Sequence, residues 1–205
     1  MGEKTAQRLA YFIVSLPKEK GQSLAKSIEV ALIKCKPCSE CFLLSDISPC
    51  IICSDNNRNN ELLCVVESSR DVFAIENTKE YNGYYFVLGN LLSPINGIGP
   101  NEIRINEMMK YLEKKTFMEI ILAISPSTEG ETTMQYLADN LGNFLPNSTQ
   151  SLKHNVLHGS EEVEQKQIIQ SIRITRLATG IPYGSDMEYT ASNTLLNAFK
   201  RRFQV

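Results

Sequence analysis

Cysteine placement constrains this chain more than any other feature. The six cysteines stand at positions 35, 38, 41, 50, 53 and 64. Two Cys-x-x-Cys pairs, Cys38/Cys41 and Cys50/Cys53, are separated by the eight residues FLLSDISP. Tetrahedral zinc takes four thiolates, and each short pair can form one tight turn that presents two of them. Polar turn residues and Pro49 suit the spacer to a loop returning the second turn to the first. Cys35 makes a rival pair with Cys38, so spacing alone leaves the ligand choice open. Cys64 lies inside the apolar run LLCVV and reads as a buried small hydrophobe. A structural metal is the reading adopted over redox cysteines or accidental spacing.

The 205 residues are 42% apolar and 21% charged, which supports a packed core and argues against disorder throughout. Mean hydropathy is −0.18, and no apolar run reaches the roughly 18 residues of a membrane span. Charge is nearly balanced, 21 Lys+Arg against 23 Asp+Glu, but unevenly spread. Residues 1–36 hold seven Lys/Arg and three Glu, a net +4, which leaves −6 for the remainder. A basic segment on an acidic body points to an anionic partner or, more blandly, to a solvated helix face. Lys4 and Arg8 precede an apolar stretch without a small-residue cleavage site, and Ala6 excludes a myristoylation signal at Gly2. A cytoplasmic location is therefore expected, where six cysteines serve metal better than disulfides.

Periodicity organises the chain. Leu9, Phe12, Ile13 and Leu16 recur at helical spacing, Pro17 breaks the run, and Leu24, Ile28, Ala31 and Leu32 resume it. After the cysteine segment, residues 35–55, the run DNNRNN reads as a loop. Strands are expected over Leu62–Val66, Tyr84–Leu88, Glu119–Ile124 and Ile172–Ala178. Helical pattern fills Asp71–Glu76, Ile103–Lys114, Glu131–Leu141 and Leu195–Phe203. The alternation predicts an α/β fold: a helical N-terminal piece, a small zinc knuckle, a mostly parallel sheet covered on both faces, and a C-terminal helix. Residues 143–167 fit no element and read as an exposed insertion. His154 and His158 within it are surface histidines rather than ligands, since no third donor stands nearby.

In such a sheet, function gathers in loops at the carboxyl ends of strands. Glu67 follows LLCVV, and SPSTEGE follows EIILAI, so Glu67, Glu129 and Glu131 offer oxygen ligands of the type magnesium accepts. Helix N-terminal acids favoured by the macrodipole are the equally weighted alternative. Neither histidine has a credible Ser or Cys partner, so triad chemistry is unsupported. Gly97-Ile-Gly99 lacks the third glycine of a dinucleotide site and reads as a turn.

These residues resemble the RecR family of bacterial recombination mediators. GEKTAQRLA at 2–10 is similar to the second half of its helix-hairpin-helix motif, and Cys38, Cys41, Cys50 and Cys53 to its four-cysteine zinc finger. LLCVVESSRDVFAIE, YFVLGNLLSPINGIGP and ILAISPSTEGETT resemble its Toprim segments, and TRLATGIPYGSDMEYT its C-terminal signature. The resemblance implies a division into a partial hairpin with its following helix (1–34), a zinc finger (35–55), a Toprim domain (61–180) and a C-terminal segment (181–205). It implies a non-enzymatic, sequence-independent DNA-binding protein that forms ring-like homo-oligomers, works with RecO and RecF, and helps load recombinase at single-stranded gaps. Lys4 and Arg8 fall on the DNA-facing positions of the hairpin, the four cysteines on structural zinc ligands, and Glu67, Glu129 and Glu131 on the Toprim acids. No membrane partner is implied.

The departures bear on mechanism. The first helix and most of the turn of the hairpin have no counterpart before Gly2, so weak DNA binding by this chain is expected. Ser125-Pro126-Ser127 stands where Toprim enzymes carry an Asp-x-Asp pair, so magnesium is not expected there and the three glutamates read as a partner-binding surface. Thr179 replaces the family's basic residue before its Gly-Leu-Pro, and TASNT its acidic residues after Glu-Tyr. A metal-dependent Toprim-type phosphotransfer enzyme, nuclease or primase-like, is the alternative, and a zinc adaptor without DNA contact is a third reading.

Overall fold

The computed structural model describes residues 2–144 and 172–200, apart from 179, 182–183, 185–187 and 189–191. The expected insertion at 143–167, its two histidines and Thr179 lie outside the described residues or at their edge. Two helices open the chain, α1 (Glu3–Ser15) and α2 (Lys18–Lys34), interrupted at Pro17 because proline has no N–H to continue the ladder. Both are amphipathic, yet no side chain on either is buried: Phe12 is 59% exposed and Leu32 79%. The cysteine segment follows, with two-residue strands β1 (Lys36–Pro37) and β2 (Leu44–Ser45) paired antiparallel.

The remaining elements are β3 (Leu62–Val66), α3 (Ser69–Glu76), β4 (Tyr84–Val87), α4 (Ile105–Lys114), β5 (Glu119–Ala123), α5 (Thr128–Phe144), β6 (Arg173–Arg176) and α6 (Ser192–Lys200). The four longer strands form one parallel sheet in the order β4-β3-β5-β6. Continuous apolar runs make β3, β4 and β5, as expected where a parallel sheet is covered on both faces, while β6 (RITR) alternates polar and apolar at the edge. Leu63, Val65, Val66, Tyr85, Phe86 and Ile120 are fully buried.

Register assigns the two faces. Val65 is paired with Phe86 and Leu122, and Leu122 with Arg176, so these four side chains share one face. The α4 residue Tyr111 lies there, 5.7 Å from the Phe86 ring, and Glu131 of α5 reaches Arg176. Cys64 and Tyr85 share the opposite face, where Tyr85 donates to Glu76 of α3 at 2.7 Å. Helices thus cover both faces. The chain leaves β3 for β4 on one side and returns past it to β5 on the other. The crevice between the carboxyl ends of β3 and β5 is therefore the topological switch point, the usual ligand position in open α/β sheets.

Candidate functional site

Cys38, Cys41, Cys50 and Cys53 converge, with all four sulfur atoms within 4.8 Å of one another. The Cys41–Cys50 separation is 3.6 Å and Cys38–Cys53 is 4.0 Å. Zinc–sulfur bonds of about 2.3 Å at tetrahedral angles place sulfurs about 3.8 Å apart, so the cluster fits that ion. Cys38, Cys41 and Cys50 are wholly buried and Cys53 partly so. Cys35, at the end of α2, is exposed and outside the cluster.

Local backbone geometry builds the site. Cys38 Sγ accepts from the amides of Glu40 (3.5 Å) and Cys50 (3.3 Å), tying the second turn to the first. The Cys38 amide donates to Leu43 O (2.8 Å) and the Phe42 amide to Cys38 O (3.1 Å), closing the first turn. Phe42 adopts φ +63°, a left-handed conformation that L residues avoid. Packing offsets that cost: its ring meets Phe86 edge-on at 5.5 Å, with the Arg104 guanidinium 4.7 Å from its centroid. Among themselves the thiols cannot all ionise. Hydrogen bonding from Cys41 holds Cys50 low, while hydrogen bonds with Cys50 push Cys41 up and those with Cys41 push Cys53 up. Four thiolates in this volume need a divalent cation to offset their repulsion.

The acidic edge divides in two. Glu67 follows β3 and its carboxyl is pushed up by burial first, then by Asp71 and Glu129, with Arg70 opposing. Glu129, in the first turn of α5, accepts hydrogen bonds from the Ser93 hydroxyl and from Asn96 Nδ2 (3.5 Å). Glu131 does not join them. Its carboxylate is held by both terminal nitrogens of Arg176, at 2.9 and 2.6 Å, on the β6 side of α5. Arg176 thus holds Glu131 as a bidentate partner, while the charge of Glu129 reaches Glu67. Among the described residues no group of three or more carboxylates has metal-ligating spacing.

Asp71 is the carboxylate that sequence reasoning missed. It completes a capping box with Ser68, accepting from the Ser68 amide (2.8 Å) and hydroxyl (2.9 Å), and the spacing Ser68-x-x-Asp71 was the available signal. At the β5 exit, Ser127 caps α5 by accepting from the Gly130 amide at 3.0 Å. Gly130 is obligatory, since a Cβ there would stand 1.9 Å from Ser125 O. Lys4 and Arg8 stand one helical turn apart on α1 and are exposed, away from both clusters in sequence.

A parallel sheet with acids at the switch point, preceded by a four-cysteine knuckle, defines a Toprim-type α/β protein, and the model of the Toprim domain matches residues 61–150. Three curated relatives extend the likeness over nearly the whole chain. Recombination protein RecR of Pelotomaculum thermopropionicum is 40% identical over 202 residues, 98% of this chain and 88% of that protein. The same-named proteins of Gloeothece citriformis (41%, 98% and 88%) and Gloeobacter violaceus (38%, 100% and 91%) match as broadly. The chain belongs to the RecR family.

Proposed function

We propose that this protein is a DNA-binding recombination mediator in recombinational repair, acting with RecO and RecF to help load recombinase at single-stranded gaps. The observation carrying this reading is the composition of the switch point. Glu67 follows β3, Glu129 stands in the first turn of α5, and the β5 exit carries Ser125 and Ser127; two hydroxyls do not replace the carboxylates that two-metal phosphoryl transfer needs. Relatives named Recombination protein RecR, matched over nearly the whole of this chain, support the repair role.

In this reading residues 1–34 carry Lys4 and Arg8 toward phosphate, which they contact without reading sequence. Residues 35–55 hold structural zinc on Cys38, Cys41, Cys50 and Cys53; with four thiolates, no position is left for a reactive water. Within residues 61–180 the Glu67–Glu129 pair is the surface for RecO, a negative cluster suited to steering a basic partner. Residues 181–205 are a C-terminal segment, and ring-like homo-oligomers supply the density of basic side chains that one copy lacks. Residues 143–167 are an insertion in the Toprim domain.

The competing enzyme reading is tested with purified protein, magnesium, and labelled single-stranded and gapped DNA. The proposal expects binding without cleavage or polymerisation. Magnesium-dependent turnover that disappears in Glu67→Gln would replace the mediator reading by the phosphotransfer one.

A further inference from the structure

The four thiolates are not equivalent, and they differ in burial and in backbone donors. Cys38 Sγ has two amides, from Glu40 and Cys50. Cys41 and Cys50 have no solvent exposure at all. The amides following Cys53 are committed elsewhere: Ser54 donates to Cys50 O at 3.0 Å and Asp55 to Ile52 O at 3.4 Å. Among the described residues no backbone N–H is directed at Cys53 Sγ. Cys53 is also the one member of the cluster that is not fully buried. An N–H donor draws electron density from a thiolate and covers one of its lone pairs, and burial blocks the approach of a reagent.

We propose that Cys53 is the modification site of the knuckle, the position at which soft electrophiles and two-electron oxidants open it. The proposal rests on the zinc assignment. With hydrogen peroxide, Cys53 sulfur attacks one oxygen; the S–O bond forms, the O–O bond breaks, and hydroxide leaves. Sulfur is oxidised by two electrons to a sulfenic acid, and peroxide is reduced by two. Cys38 Sγ, 4.0 Å away, then attacks that sulfur and expels a second hydroxide, forming a disulfide. The cluster loses two thiolates and its zinc.

The test uses the zinc-loaded full chain carrying Cys35→Ser, which removes an exposed competing thiol outside the cluster. Zinc content is measured first. Limiting N-ethylmaleimide is then added, zinc release is followed with a colorimetric chelator, and adducts are located by peptide mass mapping. The first adduct is expected on Cys53, several-fold ahead of each other ligand, because the other three cysteines are wholly buried. Zinc release should track it. A first adduct on Cys38, Cys41 or Cys50, or an even distribution, overturns the proposal while leaving the zinc assignment standing. A purified protein without zinc overturns the assignment itself, and the proposal with it.

Discussion

The Val87 amide donates to the carbonyl of Cys41 at 2.9 Å, so the knuckle caps β4, one of the two edge strands of the parallel sheet. A second bond runs from the Leu44 amide to Ser69 Oγ at 3.0 Å, at the start of α3. The metal-binding turn thus covers an edge that would otherwise present unpaired backbone groups.

This coupling predicts that metal loss is felt in the sheet. Cys50→Ser should abolish zinc binding and lower stability by about 4 kcal/mol or more, the range reached when a metal site is lost. Elemental analysis with urea denaturation checks both, and amide exchange should show faster exchange at Val87. Full zinc stoichiometry in the variant would exclude Cys50 as a ligand.

Arg58 and Glu76 give a pH signature. The Arg58 guanidinium first, and the Tyr85 hydroxyl after it, hold the Glu76 carboxyl below the usual carboxylate range against the opposing effect of burial. A depressed native value stabilises the fold above the unfolded carboxylate pKa of about 4.3 and is lost as pH falls through the native value. Glu76→Gln should therefore cost about 2 kcal/mol at neutral pH, the scale of a charge-assisted hydrogen bond. Its deficit should shrink on acidification, measured by denaturation at neutral pH and near pH 3. Glu67 has the opposite sign, raised by burial, so Glu67→Gln should be neutral or mildly stabilising at neutral pH. An equal deficit for Glu76→Gln at both pH values contradicts this account.

The split acidic edge predicts different phenotypes for its members. Glu129→Gln keeps an acceptor for the buried Ser93 hydroxyl while removing charge, and should weaken RecO binding without loss of stability. Glu131→Gln breaks a half-exposed pair with Arg176 and should cost only about 0.2–1 kcal/mol, with partner binding unchanged. Calorimetric titration against RecO distinguishes them. Equal loss in both variants would put Glu131 back on the surface.

Much of the fold was legible because its signals are local. Pro17 marked the break between α1 and α2, LLCVV and EIILA were readable as buried strands, and the two cysteine pairs announced their cluster. Cys35 stayed ambiguous because only its position at the end of α2 separates it from the cluster. The Glu131–Arg176 pair joins residues on different elements, 45 positions apart, and no periodicity encodes that distance. The two-residue strands of the knuckle escaped notice for a related reason: their pairing follows from the turn at Cys38, not from strand propensity.

DNA contact through Lys4 and Arg8 predicts a change in salt dependence rather than in sequence preference. The double alanine variant should weaken binding uniformly across sequences and lower the slope of log affinity against log salt by roughly 1.4 on single strands, about 0.7 per phosphate contact. Fluorescence anisotropy over a salt series measures this. Unchanged slopes would remove α1 from the interface.

The central claim is most directly tested by following recombinase assembly on gapped DNA coated with single-strand-binding protein, in the presence of RecO. The wild-type chain should accelerate assembly, Lys4→Ala/Arg8→Ala should not, and the DNA should remain intact in magnesium. Absence of any acceleration by the wild-type protein, together with cleavage of the DNA that Glu67→Gln suppresses, would contradict the account.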